Sequence, residues 1–171
     1  FVPLLREQAG FEASQRVVPV TVTPPADFDV IVIGAGIVGI NAAIKLGEAG
    51  FGYTIFEADE EIGGTWWRNT YPGAAVDTPS HFYSYSFELN PKWSKYYPSG
   101  VEYQQYLLSV VEKYELRRNI RFRTRVLSAT WNDAAHRWEV VTEDADGAVH
   151  THHARAVITA LGMLNEANIP D

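Results

Sequence analysis

The chain has 171 residues, 46% of them hydrophobic and 20% charged, with a formal net charge of −7 and no cysteine. That length supports one domain with a full core, and the acidic balance argues against nucleic acid as a partner. The missing cysteines exclude a disulfide framework, a thiolate metal site and a Cys-x-x-Cys redox pair, and they fit a cytoplasmic protein.

Residues 1–27 carry scattered prolines ending in Pro24-Pro25 and no sustained period, so they read as an N-terminal arm or linker before a domain spanning 28–171. Phe1 is not an initiator methionine, and the whole reads as an internal piece of a longer polypeptide. The N-terminus has no signal-peptide pattern, and no apolar run approaches the roughly 20 residues a membrane span needs.

Residues 29–39 read DVIVIGAGIVG. Val30 to Ile33 predict a buried strand and Val38 to Ala49 a helix, stopped by Gly50-Phe51-Gly52. Between them, Gly34 lets the chain turn off the strand, and Gly36 removes a side chain that would hold a diphosphate away from the backbone. Gly39 lets the helix lie close to the strand. With the helix dipole behind it, this is a dinucleotide pyrophosphate cradle. Tyr53 to Phe56 predict a second strand ending at Glu57, about 20 residues on, where a carboxylate accepts from ribose hydroxyls and repels a 2′-phosphate. The cradle alone leaves nicotinamide and flavin dinucleotides both open.

Residues 58–98 are rich in Gly, Pro, Asn, Ser and aromatics, a long irregular stretch of the kind that usually carries function. Asp59, Glu60 and Glu61 read as a solvated turn. Gly63-Gly64-Thr65-Trp66 places two bare backbones, a hydroxyl and an indole in a loop suited to a flat ligand. Asp77 is an acid in a charge-poor stretch, open to reading as a turn cap before Thr78-Pro79. Phe82, Tyr83, Tyr85 and Phe87 form an aromatic wall, in which Phe82 and Phe87 are expected to pack beneath the loop. Of the adjacent Trp66 and Trp67, only Trp66 is expected to face the ligand.

Ser99 to Glu102 predict a capping box, followed by a helix with Tyr106, Leu107, Val110, Val111 and Tyr114 on one face, ending near Leu116. Ile120 to Val126 alternate with Arg121, Arg123 and Arg125 and predict one strand; the arginines could form a phosphate-binding row, but alternation alone explains them as a solvated strand face. Residues 127–132, 137–142 and 148–153 predict an antiparallel meander, and Ala156 to Thr159 a last buried strand ending in Ala160-Leu161-Gly162. His150 and His152 share a strand face, but two imidazoles with no nearby carboxylate or thiolate make an incomplete metal site. The fold class expected is α/β, Rossmann-like, with a parallel sheet and a small three-stranded antiparallel meander.

The GAGIVG turn, Glu57, GGTWWRNTYPG, Asp77, and Tyr83 in SHFYSYSF occur together in this order. In these motifs the chain resembles the FAD-binding part of class B flavoprotein monooxygenases, most of all Baeyer–Villiger monooxygenases of the 4-hydroxyacetophenone monooxygenase type. The resemblance implies FAD bound here and NADPH bound mainly by a second domain of the same chain, together with a small carbonyl substrate and O2. It implies pyrophosphate contacts from Gly34, Ala35, Gly36 and Gly39, ribose contacts from Glu57, and flavin-side contacts from Gly64, Thr65 and Trp66. Asp77 and Tyr83 would approach the isoalloxazine, Val126 the adenine, and Ala160, Leu161 and Gly162 would close over the diphosphate. Asp77 would be the catalytic contribution of this segment, holding an arginine of the second domain near the reacting oxygen. The sequence departs from the family at Ala75-Val76, where Arg-Cys is common. It also lacks a second GxGxxG and the FxGxxxHxxxWP fingerprint. The alternatives are oxidation of nitrogen or sulfur by a related flavin enzyme, or a nucleotide-binding module inactive by itself.

Overall fold

The computed structural model describes residues 23–163. Most of the expected arm, residues 1–22, lies outside the described residues. Four parallel strands form the central sheet: β1 (Asp29–Ile33), β2 (Gly52–Phe56), β3 (Ile120–Arg121) and β7 (Ala156–Thr159), in the order β3-β2-β1-β7. Three antiparallel strands, β4 (Arg125–Asn132), β5 (Arg137–Glu143) and β6 (Val149–Ala154), form the meander. The helices are α1 (Ile37–Glu48), the single turn α2 (Thr65–Arg68) and α3 (Gly100–Lys113), with a 3-10 turn at Leu116–Asn119.

A parallel sheet must be covered on both faces, because its strands are apolar throughout. Residues Val30 to Ile33 of β1 are all buried. On one face, Val32 and Ile55 pack with Ile40, Ala43 and Ile44 of α1 and Tyr103, Leu107, Val110 and Val111 of α3. On the other, Ile31, Ile33 and Phe56 pack with Val140 and Ala154 of the meander, with Val126, Trp138 and Val157 at the margin. Each fully buried aliphatic side chain in these layers contributes on the order of 1.5–3 kcal/mol.

The chain turns from the sheet into the meander at one residue. The predicted continuous strand from Ile120 to Val126 is instead two strands in two sheets, because Arg123 adopts a left-handed conformation (φ 51°). Its backbone N–H donates to Asp59 O at 2.9 Å and Thr124 N–H donates to Glu57 O at 2.8 Å, which takes both out of strand pairing. The arginine alternation therefore marks a strand end, a crossing and a strand start.

Other boundaries shift for local reasons. Ser99 caps α3 as predicted, its Oγ accepting from Glu102 N at 3.2 Å, but the Glu102 carboxylate accepts from the Ser94 N–H and hydroxyl at 2.7 Å instead of closing the box. The helix ends at Lys113, earlier than Leu116, because Glu115 enters the left-handed region (φ 53°). Arg117 and Arg118 fall on the 3-10 turn beyond it. The expected loop at Thr65-Trp66 is the first half of α2, whose Trp67 N–H and Arg68 N–H both donate to Gly64 O. Phe87 packs as expected, stacked on Tyr85 at 5.2 Å, whereas Phe82, expected to pack beneath the loop, is 45% exposed.

Candidate functional site

A cleft opens at the carboxyl ends of β1, β2 and β7, lined by Gly34, Gly36, Glu57, Gly64, Thr65, Trp66, Tyr83, Val126 and Ala160 to Gly162, among others. In open α/β sheets this is where ligands bind, since successive strands leave β1 toward opposite sides there. The strand order places β2 and β7 on either side of β1.

The three glycines of the turn do different work. Gly34 holds φ +99°, donates to Phe56 O at 2.8 Å, and a β-carbon on it would lie 2.8 Å from Ala160 O. A β-carbon on Gly39 would collide with the carbonyl oxygen of Gly34, so this glycine permits helix and strand to touch. Gly36 is different. Its φ is −78°, open to any residue, and an added β-carbon would meet only Gly64 Cα, at 3.9 Å. Neither packing nor backbone strain accounts for the missing side chain; it leaves the cleft clear.

Gly36 is also the N-cap of α1, with no side-chain cap and no acid in the first turn. The first N–H groups of a helix have no partner within it, and with the helix dipole they favour an anion. The cleft lining includes Ile37 and Val38 of this first turn.

Glu57 is 5% exposed, and both its oxygens are engaged: Oε2 accepts from Ala35 N at 2.6 Å and Oε1 from Asp59 N at 2.9 Å. The carboxylate thus ties the glycine turn to the end of β2 while still facing the cleft. Ala35 itself is fully buried, so its contribution is this backbone bond.

Across the cleft, the turn at Gly63-Gly64 lies against the glycine turn: Gly63 N–H donates to Ala35 O at 3.0 Å, and a β-carbon on Gly64 would stand 3.4 Å from Gly36 Cα. Trp66 then bridges cleft and core, its ring 6.0 Å from Tyr83 edge-on and 5.2 Å from Tyr103. Tyr85 anchors the long segment to α1, donating from its hydroxyl to Ile37 O at 2.6 Å. Burial raises Tyr85 and Tyr103 well above the ordinary phenol range and pushes Tyr106 up to about 12, so these phenols stay neutral; the Tyr85 and Tyr106 hydroxyls serve as hydrogen-bonding pegs, whereas that of Tyr103 is buried without a partner.

Most of the expected site residues therefore meet in one place. Gly39 and Ala35 support it from behind without lining it. Asp77 lies outside the cleft lining and is exposed, its carboxylate accepting from Thr78 Oγ1 at 3.3 Å.

Several lining residues lie outside the site expected from the sequence, Arg125 among them, which the alternation assigns to a solvated strand face. Arg68 Nε donates to Asp59 Oδ2 at 2.6 Å on the cleft rim, and Thr124 and Arg125 line the wall beside Val126. The acidic turn is not simply solvated: Asp59 pairs with Arg68, Glu60 with Arg123 and Glu61 with Arg117. Nothing in the spacing of these residues announces the pairings. Among the described residues no group of three potential metal ligands occurs. His150 does have a carboxylate neighbour, contrary to expectation, with Nε2 3.0 Å from Asp144 Oδ2, while His152 Nε2 lies 2.9 Å from Thr142 Oγ1.

Comparison with known proteins agrees with this geometry. Residues 32–98 match the family described as NAD(P)-binding Rossmann-like domain. The chain is 41% identical over 150 residues to cyclohexanone 1,2-monooxygenase of an Acinetobacter species, covering 85% of this chain and 27% of that protein. It is 37% identical over 155 residues to a Baeyer–Villiger monooxygenase of Pseudooceanicola batsensis, covering 88% and 28%. It superposes with a TM-score of 0.76 at 33% identity on the crystal structure of OTEMO in complex with FAD and NADP, covering 88% of this chain and 28% of that one. The chain is thus homologous to a segment of Baeyer–Villiger and cyclohexanone monooxygenases, spanning little more than a quarter of their length.

Proposed function

We propose that residues 28–171 are the FAD-binding portion of an NADPH- and O2-dependent Baeyer–Villiger monooxygenase that oxidises ketones to esters or lactones. Residues 1–27 are then an arm before it, and the NADPH-binding domain lies elsewhere in the same polypeptide. The observation that carries this reading is Gly36, a position that packing and backbone leave free to bear a side chain but that stands open, at an uncapped helix start, beside a buried glutamate. Such a cradle fits a diphosphate joined to a ribose.

In this reading Gly34, Gly36 and the first turn of α1 hold the diphosphate, with Ala35 and Gly39 fixing their geometry. Glu57 accepts from the adenosine ribose and repels a 2′-phosphate, which favours FAD over NADP in this cleft. Val126 borders the adenine, Ala160, Leu161 and Gly162 close over the diphosphate, and Gly64, Thr65, Trp66 and Tyr83 flank the flavin. Bound FAD supplies the redox and oxygen-activating chemistry that side chains lack. The protein's share is to orient it, to exclude water with the aromatic cluster, and to place charge.

Asp77 is the charge this segment contributes. Its exposure suits a residue that meets an arginine from outside these residues rather than the cleft floor. In the full-length protein, Asp77→Asn is expected to lower ketone oxygenation while leaving FAD content unchanged; normal oxygenation would remove the role. Within the family, we assign the chain to the 4-hydroxyacetophenone monooxygenase type on the DTPSHFYSYSF wording and the residues preceding the domain.

Titration of the purified chain with FAD, followed by flavin fluorescence and visible absorption, tests the reading directly. Saturable binding at one FAD per chain is expected. A chain that folds and leaves FAD free in solution would overturn the reading.

A further inference from the structure

Gln104 lines no part of the cleft, yet its amide presses on the turn that forms one wall. It stands on α3 at 8% exposure, and its Nε2 donates to Ile62 O at 2.6 Å. Its Oε1 is buried without a partner, and a β-carbon on Gly63 would collide with that oxygen. A buried acceptor with no bond costs free energy that a leucine or methionine of similar volume would avoid. Filling space therefore does not explain an amide here. What the amide adds is a donor for the Ile62 carbonyl and a flat edge against a residue with no side chain.

The residues it touches lead straight to the cradle. Gly63, at φ +122°, holds a conformation that side chains rarely adopt, and its N–H donates to Ala35 O at 3.0 Å. The next residue, Gly64, faces Gly36 across the cleft. One continuous line of contacts thus runs from α3 through Ile62 and Gly63 to the glycine turn.

We propose that Gln104 is a positioning residue that sets the separation of the Gly64 wall from the Gly36 wall, and so the fit of the bound dinucleotide. This rests on the FAD reading above.

The test compares the 171-residue chain with Gln104→Met, which keeps the volume and removes the donor. Loss of one hydrogen bond that holds the wall is expected to weaken FAD binding by about tenfold and to shift the visible absorption band of the bound flavin. Unchanged affinity with an unchanged band in a folded variant would overturn the proposal. If Gln104→Met does not fold, NMR of the unaltered chain decides. Gln104 side-chain amide signals that move on adding FAD support the role, and signals that stay in place refute it. Failure of the unaltered chain to bind FAD is a separate result: it removes the FAD reading and this inference together.

Discussion

At the scale of single residues, identical glycines in one motif prove to have different physical grounds. Gly39 is required by the protein itself, since any side chain there strikes the Gly34 carbonyl. On the FAD reading, Gly36 is required by what the cleft holds. The two substitutions should therefore separate. Gly39→Ala is expected to destabilise the fold by about 1–3 kcal/mol or more through overpacking, read as a lower urea midpoint. Gly36→Ala should leave that midpoint within roughly 0.5 kcal/mol of the parent and abolish detectable FAD binding, because the added methyl occupies ligand space. Equal losses of stability in both variants would show that Gly36 is a packing residue after all. The motif spacing already assigns the two glycines these different roles in the sequence; what it does not show is that Ala160 and Gly64, far along the chain, stand beside the turn.

At the scale of elements, the meander's hold on the sheet contains a titratable group. The His152 ring lies 4.6 Å from the Phe56 ring and beside the fully buried Thr142, in a groove also lined by Tyr53, Asp29, Arg121, Asp144, His150 and His153. Burial, followed by the neighbouring His150 and His153, lowers its pKa below the ordinary 6.5. The folded chain then holds fewer protons than the unfolded chain between the lowered value and 6.5. This part of the stability is complete above 6.5 and is lost as pH falls through the folded value. His152→Gln, which can still bond Thr142 and does not titrate, should flatten the acid side of the stability-versus-pH curve near that range. A variant as acid-sensitive as the parent would place the effect elsewhere.

The elements themselves were largely readable. Strand runs, the Ser99 cap and the meander turns lie in local pattern, which the backbone obeys wherever side-chain period and burial agree. Two failures fall where a single residue takes a left-handed conformation: Arg123 divides one apparent strand between two sheets, and Glu115 ends α3 early. Apolar alternation continued smoothly across Arg123, so the period gave no sign of the break. The bonds to Asp59 and Glu57 that impose it come from another part of the chain.

At the scale of the whole molecule, the domain presents the cleft proposed to take FAD and, among the described residues, no helix long and apolar enough to cross a membrane. Hydride delivery needs a nicotinamide site, and the only GxGxxG in the sequence forms the cleft beside Glu57. The 171-residue chain reconstituted with FAD is therefore expected to show no sustained NADPH consumption in air, measured by nicotinamide absorbance. Steady turnover would mean that the chain carries a reduction site of its own.

The sequence by itself determined the βαβ cradle, the acid at the end of the second strand, the order of the strands along the chain and the one-sided helices, because each follows from neighbours within a few turns of backbone. Only the tertiary structure decided that the Gly64 turn faces Gly36, that three acids of one turn meet three arginines, that Arg125 borders the cleft, and that Gln104 presses on the Gly63 turn. Those contacts join residues distant along the chain, and their geometry is fixed by the packing of both layers on the sheet rather than by any local preference.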